Sequence, residues 1–192
     1  PIKDKVFLLQ DCIASILKFP PGCDIEIIVV NNNSKEKETF DFLENLKTNL
    51  KNKFNFVLLN ISGEFNYSKI NNIAANYCLG NSILLLNNDV SFKTNFWGKS
   101  LLSNSLRKGI GCVGIKLIYP DNTIQHAGVI MGYGGIAGHS HCGFSSNENG
   151  YDNRLSLNQE FSAVTAACLC ISKENWNLLG GLDEYNLKVN YN

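Results

Sequence analysis

Apolar and polar positions along the chain change their period several times. In "VFLLQDCIASIL" (residues 6–17), Leu9, Cys12, Ile13, Ile16 and Leu17 recur at helical spacing and give one apolar face. The "FPPG" that follows stops that helix. "DIEIIVVNNNS" then carries a nearly continuous β-branched run at residues 25–30, the pattern of an interior parallel strand. Ser34 reads as the N-cap of a helix over residues 35–50, with Phe40, Leu43, Leu46 and Leu50 turned inward. "FNFVLLN" (54–60) is a further strand, and "YSKINNIAANYCLG" a short helix closed by Gly80. "SILLL" returns as a strand covered on both faces, and residues 96–106 as a helix.

From Gly111 the pattern shifts. "GCVGIKLIY" and "TIQHAGVIMGYGG" are strand-like and glycine-rich, and a long polar loop covers residues 139–158. "AVTAACLCIS" is again an apolar strand, after which Ser172 caps a short helix ending at "LGGLDE". Helix and strand alternate through the first half with crossovers long enough for parallel pairing. The expectation is an α/β domain with a mainly parallel central sheet flanked by helices, Rossmann-like in its N-terminal half. One domain over residues 1–192 with halves 1–109 and 110–192 fits better than two independent domains, since 192 residues is short for two.

Composition narrows the classes. A formal net charge of zero argues against a nucleic-acid partner, which asks for a basic excess or stripe. No apolar run reaches the roughly 18–20 residues that span a bilayer. Seven cysteines without a CxxC pair fit reduced thiols in the cytoplasm better than a disulfide framework. The chain opens at Pro1 without Met and stops at "VNYN", so truncation at both ends is expected.

Two strands end on polar clusters: Asn31-Asn32-Asn33-Ser34, and Asn87-Asn88-Asp89. Ligands of open parallel sheets sit outside the carboxyl ends of strands, so both clusters are expected at one crevice. GxGxxG and GxxxxGK[ST] phosphate loops are lacking, which leaves a divalent cation on a carboxylate as the usual way to neutralise a phosphate. Asp89 is the candidate ligand, and Asn87 offers an amide oxygen on the same side of an extended chain. The same Asn-Asn-Asp also suits a turn that caps its own backbone. The cluster "HSHC" at residues 139–142 resembles a soft-metal site in composition but lacks a second cluster at zinc-finger spacing.

In order and spacing, "KDKVFLLQDCIASIL", "DIEIIVVNNNS", "FNYSKINNIAANYCLGNSILLLNNDV", "TIQHAGVIMGYGGIAGHSH" and "AVTAACLCISKENWNLLGGLDE" together resemble the family 2 inverting glycosyltransferases with a GT-A fold. More narrowly, they resemble the bacterial members that build O-antigen and other surface polysaccharides. The resemblance implies a strand-terminal Asp-x-Asp holding Mg²⁺ or Mn²⁺ against the diphosphate of a nucleotide-sugar. Here "NND" stands in that place, so Asp89 and Asn87 inherit the metal, and Asn88 adjoins the donor. Asn31 stands where the family commonly has an aspartate that meets the nucleotide base, and an amide carbonyl can accept the same bond. The resemblance also implies donor contacts for Pro1, Lys69 and Asn72, and acceptor-side places for His126 and His139.

The implied reaction transfers a sugar, inverting its anomeric carbon, from a UDP- or dTDP-linked donor to a hydroxyl of a growing glycan or lipid-linked glycan. It implies a cytoplasmic enzyme with peripheral membrane association. Asp183 and Glu184 in "GGLDE" are the acids present for deprotonating the acceptor, while the family's usual base is expected just after Asn192. Two other readings remain open at this point. A non-catalytic nucleotide-sugar or glycan binding module would suit the two Asp-to-Asn departures. A nucleotidyltransferase would need a glycine-rich basic loop that "PIKDKV" does not supply.

Overall fold

The computed structural model describes residues 1–190. In chain order the elements are α1 (Val6–Lys18), β1 (Glu26–Asn32), α2 (Lys37–Leu50), β2 (Asn55–Ile61), α3 (Tyr67–Ala75), β3 (Ser82–Leu86) and α4 (Trp97–Ser105). There follow β4 (Val113–Gly114), β5 (Leu117–Ile118), β6 (Ile124–His126), β7 (Val129–Met131), β8 (Ala137–His139), β9 (Cys168–Ser172) and α5 (Lys173–Leu179). The fold is α/β, as the periodicity requires.

The sheet departs from the expected parallel one. β1 and β2 do pair in parallel, Glu26 opposite Asn55 through Asn32 opposite Ile61. β3 instead pairs antiparallel with β9, and β9 antiparallel with β4, in the order β3-β9-β4. A cavity of about 730 Å³ lies between β1 and β3, lined by residues 23–30, which lead into and include part of β1, and by residues 80–88 around β3. Ile2 adds to β1 by a parallel bridge at Asn31, with Ile2 N–H donating to Val30 O at 2.7 Å and Asn32 N–H to Ile2 O at 2.9 Å. Strand patterning identifies a buried strand but not its neighbour, and here β9 arrives from the second half running the opposite way.

Helices cover both faces of β3. Ile83 and Leu85 pack with Ala75 of α3, Trp176 of α5 and Ile171, while Leu84 and Leu86 turn to the core shared with α1 and α4. This two-sided burial is why "SILLL" has no polar alternation. Each such aliphatic side chain contributes about 1.5–3 kcal/mol by leaving water.

The caps are mixed. Ser172 Oγ accepts from Asn175 N–H at the start of α5, as expected, and Gly180 ends that helix in the left-handed region at φ 76°. Ser34 does not cap α2. Its Oγ accepts from Asp4 N–H, and Asp4 Oδ1 in turn accepts from the N–H groups of Lys35 and Glu36. Those two bonds hold the Asp4 carboxyl below its ordinary pKa. Phe40, expected inside, is 45% exposed, and Thr39 takes the buried position on that face.

Candidate functional site

The carboxyl ends of β1 and β3 open into a cavity of about 1140 Å³. Pro1, Asn87, Asn88, Asp89 and His139, five of the residues singled out from the sequence, line it together. The β3–β9 ladder carries one bond past Leu86, with Asn87 N–H donating to Ala167 O 2.9 Å away. The backbone then turns, with Val90 N–H reaching Asn87 O at 3.4 Å. The turn is therefore real, but it does not use the carboxylate: Asp89 is exposed and accepts no hydrogen bond among the described residues.

The donor set suits a hard cation sharing its oxygens with a ligand. It comprises one carboxylate with the neighbouring amide oxygens of Asn87 and Asn88. Among the described residues no group of three or more His, Cys, Asp or Glu could hold an ion unaided. An ion that keeps waters and takes phosphate oxygens needs only one or two protein carboxylates. Lys3 and Lys5, on the loop before α1, line the same cavity and bring positive charge to it. They drew no notice in the sequence because two lysines around an aspartate form no motif.

Asn31 and Asn32 divide differently from the expectation. Asn31 is 4% exposed, donates from Nδ2 to Asn60 Oδ1 at 2.9 Å and accepts at Oδ1 from Ser34 N–H at 3.2 Å. Both ends of its amide serve the fold, and it does not line the cavity. Asn32 does, and while its Nδ2 donates to Ile61 O at 3.1 Å, its Oδ1 is buried without a hydrogen-bond partner among the described residues. A buried acceptor left unpaired is costly, so an N–H from a ligand would be well received there. Strand alternation alone could have raised Asn32, since it shares a face with Val30 rather than Asn31.

Other expected residues stand apart from this cavity. Lys69 is exposed on α3 and does not line it. Asn72 clamps the turn after α5, its Nδ2 donating to Leu182 O (2.9 Å) and Glu184 Oε2 (3.2 Å), its Oδ1 accepting from Leu182 N–H (2.9 Å). Asp183 caps its own turn, accepting from the N–H groups of Tyr185 and Asn186 and from Asn186 Nδ2. The Asn186 bonds lead in holding its carboxyl below the ordinary range. A carboxylate so occupied is a poor proton acceptor, and neither Asp183 nor Glu184 reaches the cavity. Asn192, beside which the family's usual base was expected, lies outside the described residues.

His126 is 1% exposed and meets the cavity only through His139. His141 bonds Ser140 Oγ at 2.6 Å, and Cys142 is an exposed free thiol, so "HSHC" does not gather into a soft-metal cluster. Among the described residues, no helix is long and apolar enough to cross a membrane.

Comparison with known proteins bears on the family and the fold. The model of glycosyl transferase family 2 matches residues 4–153. Uncharacterized protein y4gI of Sinorhizobium fredii is 39% identical over 189 residues, covering 98% of this chain and 20% of that protein. O-antigen biosynthesis protein RfbC of Myxococcus xanthus is 36% identical over 188 residues, 96% of this chain and 14% of that one. The chain thus spans a fifth or less of these curated relatives. Among solved structures, a mannosyltransferase of Pyrobaculum calidifontis, in complex with GDP-Man and Mn²⁺, superimposes with a TM-score of 0.63 over 98% of this chain and 47% of that one, at 12% identity. That likeness establishes a GT-A-like fold.

Proposed function

The chain belongs to glycosyl transferase family 2 and is a glycosyltransferase domain, and from that premise we propose that its larger cavity holds a nucleotide-diphosphate sugar through Asp89 and a divalent ion. The observation that carries this reading is the Asp89 carboxylate, unengaged at the end of a buried strand, in one cavity with Pro1, Asn32, Asn87 and Asn88. Asp89, assisted by the amide oxygens of Asn87 and Asn88, would hold Mg²⁺ or Mn²⁺. That ion supplies neutralisation of the charge developing on the leaving diphosphate. Lys3 and Lys5 add cationic charge beside it, and Asn32 Oδ1 receives an N–H of the base.

The reaction is transfer with inversion: an acceptor hydroxyl oxygen bonds the anomeric carbon as the bond to the diphosphate breaks, and the hydroxyl proton passes to a carboxylate base on the opposite side. The donor is UDP- or dTDP-linked, and the acceptor a growing glycan or lipid-linked glycan. The relative RfbC, by its name an O-antigen biosynthesis protein, supports a surface-polysaccharide role. Such an acceptor would put the protein at the cytoplasmic face of a membrane as a peripheral partner. The mannosyltransferase with GDP-Man and Mn²⁺ supports the nucleotide-sugar and the metal as classes.

Calorimetry with UDP-, dTDP- and GDP-sugars, with and without Mn²⁺, tests it. Metal-dependent binding is expected, and Asp89→Ala is expected to abolish the metal dependence. Binding that survives the change intact would remove the metal assignment. A second reading, a nucleotide-sugar binding module without turnover, is favoured by one observation. Among the described residues, the only other carboxylate lining the cavity, Asp4, is already engaged at the start of α2. Sugar transfer by the full-length protein decides between them.

A further inference from the structure

Two histidines hold each other's protons, and the consequence reaches the cavity. His126 ends β6 and His139 ends β8, with their Nδ1 atoms 2.9 Å apart and their rings nearly perpendicular at 81°. One nitrogen must donate and the other accept. The backbone N–H of Gly128 donates to His126 Nε2 at 3.3 Å, so that nitrogen presents its lone pair. In the neutral ring the proton is then on Nδ1, which donates to His139 Nδ1. His139 must present a lone pair there in turn, which leaves its own proton on Nε2.

The surroundings hold this arrangement. Burial first, and the neighbouring His139 second, push the His126 pKa down to about 4, so the ring is neutral at neutral pH. Gly128 sits at φ 107° with the Phe161 ring 2.4 Å from where a Cβ would lie, a place only glycine fills. Its carbonyl receives Ser140 N–H at 2.9 Å, which ties the donor strand to the residue after His139.

We propose that His126 is a positioning residue that fixes His139 as an Nε2–H donor, and that His139 uses that N–H to hold a hydroxyl oxygen of the acceptor sugar. This rests on the glycosyltransferase reading above. With Nδ1 tied to His126, the ring has no free lone pair, so His139 does not take the acceptor's proton. Its exposed edge lines the cavity with Val129, Met131 and Ile136. A neutral donor among apolar side chains matches the hydroxyl rim and C–H face of a sugar, whereas a diphosphate calls for the charged end near Lys3, Lys5 and Asp89.

Nitrogen-15 NMR of the histidine-labelled chain reads the protons directly. His126 is expected as the Nδ1–H form and His139 as the Nε2–H form at pH 7. A His139 ring protonated on Nδ1 would overturn the relay while leaving donor binding untouched. In the full-length enzyme, His139→Ala is expected to raise the acceptor KM about five- to tenfold, the loss of one hydrogen bond. Donor Kd should stay fixed, and His139→Gln, which keeps an amide N–H at similar reach, should recover most of the loss. An unchanged acceptor KM in His139→Ala, or a loss confined to donor binding, would also overturn it. Failure of the glycosyltransferase reading looks different: no sugar-nucleotide binds, and the histidine nitrogens remain as described.

Discussion

At the scale of single residues, the two asparagines at the end of β1 separate support from recognition. Asn31 spends its amide on Asn60 and Ser34, whereas Asn32 leaves a buried oxygen without a partner beside the cavity. Asn31→Ala is therefore expected to lower stability by about 1–3 kcal/mol, the range for stranding a buried partner. Donor Kd should not move in that variant. Asn32→Ala should weaken nucleotide-sugar binding about fivefold for the lost hydrogen bond, and it should also lower the urea midpoint, because Ile61 O loses its Nδ2–H donor. Calorimetry and urea unfolding on both variants check the pair, and a swap of the two effects on donor Kd would return the base contact to Asn31.

At the scale of elements, Asn72 of α3 holds the turn that follows α5. Asn72 satisfies both the N–H and the C=O of Leu182 and reaches Glu184, over a sequence separation of 110 residues or more. Gly181 passes close to the same side chain: a Cβ there would lie 2.5 Å from Asn72 Oδ1, at a φ of 84° that already favours glycine. Asn72→Ala is expected to cost about 1–3 kcal/mol of stability by stranding those groups. It should loosen hydrogen-exchange protection at residues 180–184 while leaving donor affinity alone. A direct fall in donor affinity without loss of protection would restore Asn72 to the donor site. The wider point concerns spacing: "YSKINNIAA" places Asn72 on a helix, but only the turn arriving from far along the chain decides what its amide meets.

At the scale of the whole molecule, acid stability is the readable property. The folded pKa of His126, about 4, lies below the ordinary 6.5. The unfolded chain therefore binds more protons between those values, and stability falls as pH drops from 6.5 toward 4. Above 6.5 this contribution is fully present. Asp4 and Asp183, held low by hydrogen bonds, act in the same direction, their contributions lost as pH falls through their depressed folded pKa values. Urea unfolding at pH 7 and pH 5 should show a drop that His126→Asn makes smaller. An equal drop in both proteins would mean that His126 is not kept neutral by the fold.

Much of this was legible in the residues. Periodicity alone marks the helices and the strands that carry Asn31, Leu86 and Cys170, because burial imposes period 2 or 3.6 on the side chains whatever they pack against. The polar residues after β3 follow from the same cause, since a strand buried on two faces turns polar where it leaves the core, whereas Asn31 and Asn32 stay buried at the end of β1. What the residues could not reveal was pairing. β9 joins β3 in antiparallel fashion, Asn72 meets the turn that follows α5, and Ser34 is engaged by Asp4 instead of by α2. Each of those is a contact between segments distant in sequence, chosen by whichever partner satisfies a buried polar group or edge at least cost. Local pattern thus determined which segments are helix or strand and which residues stand at their ends, and tertiary packing alone decided which of those residues stay free for chemistry.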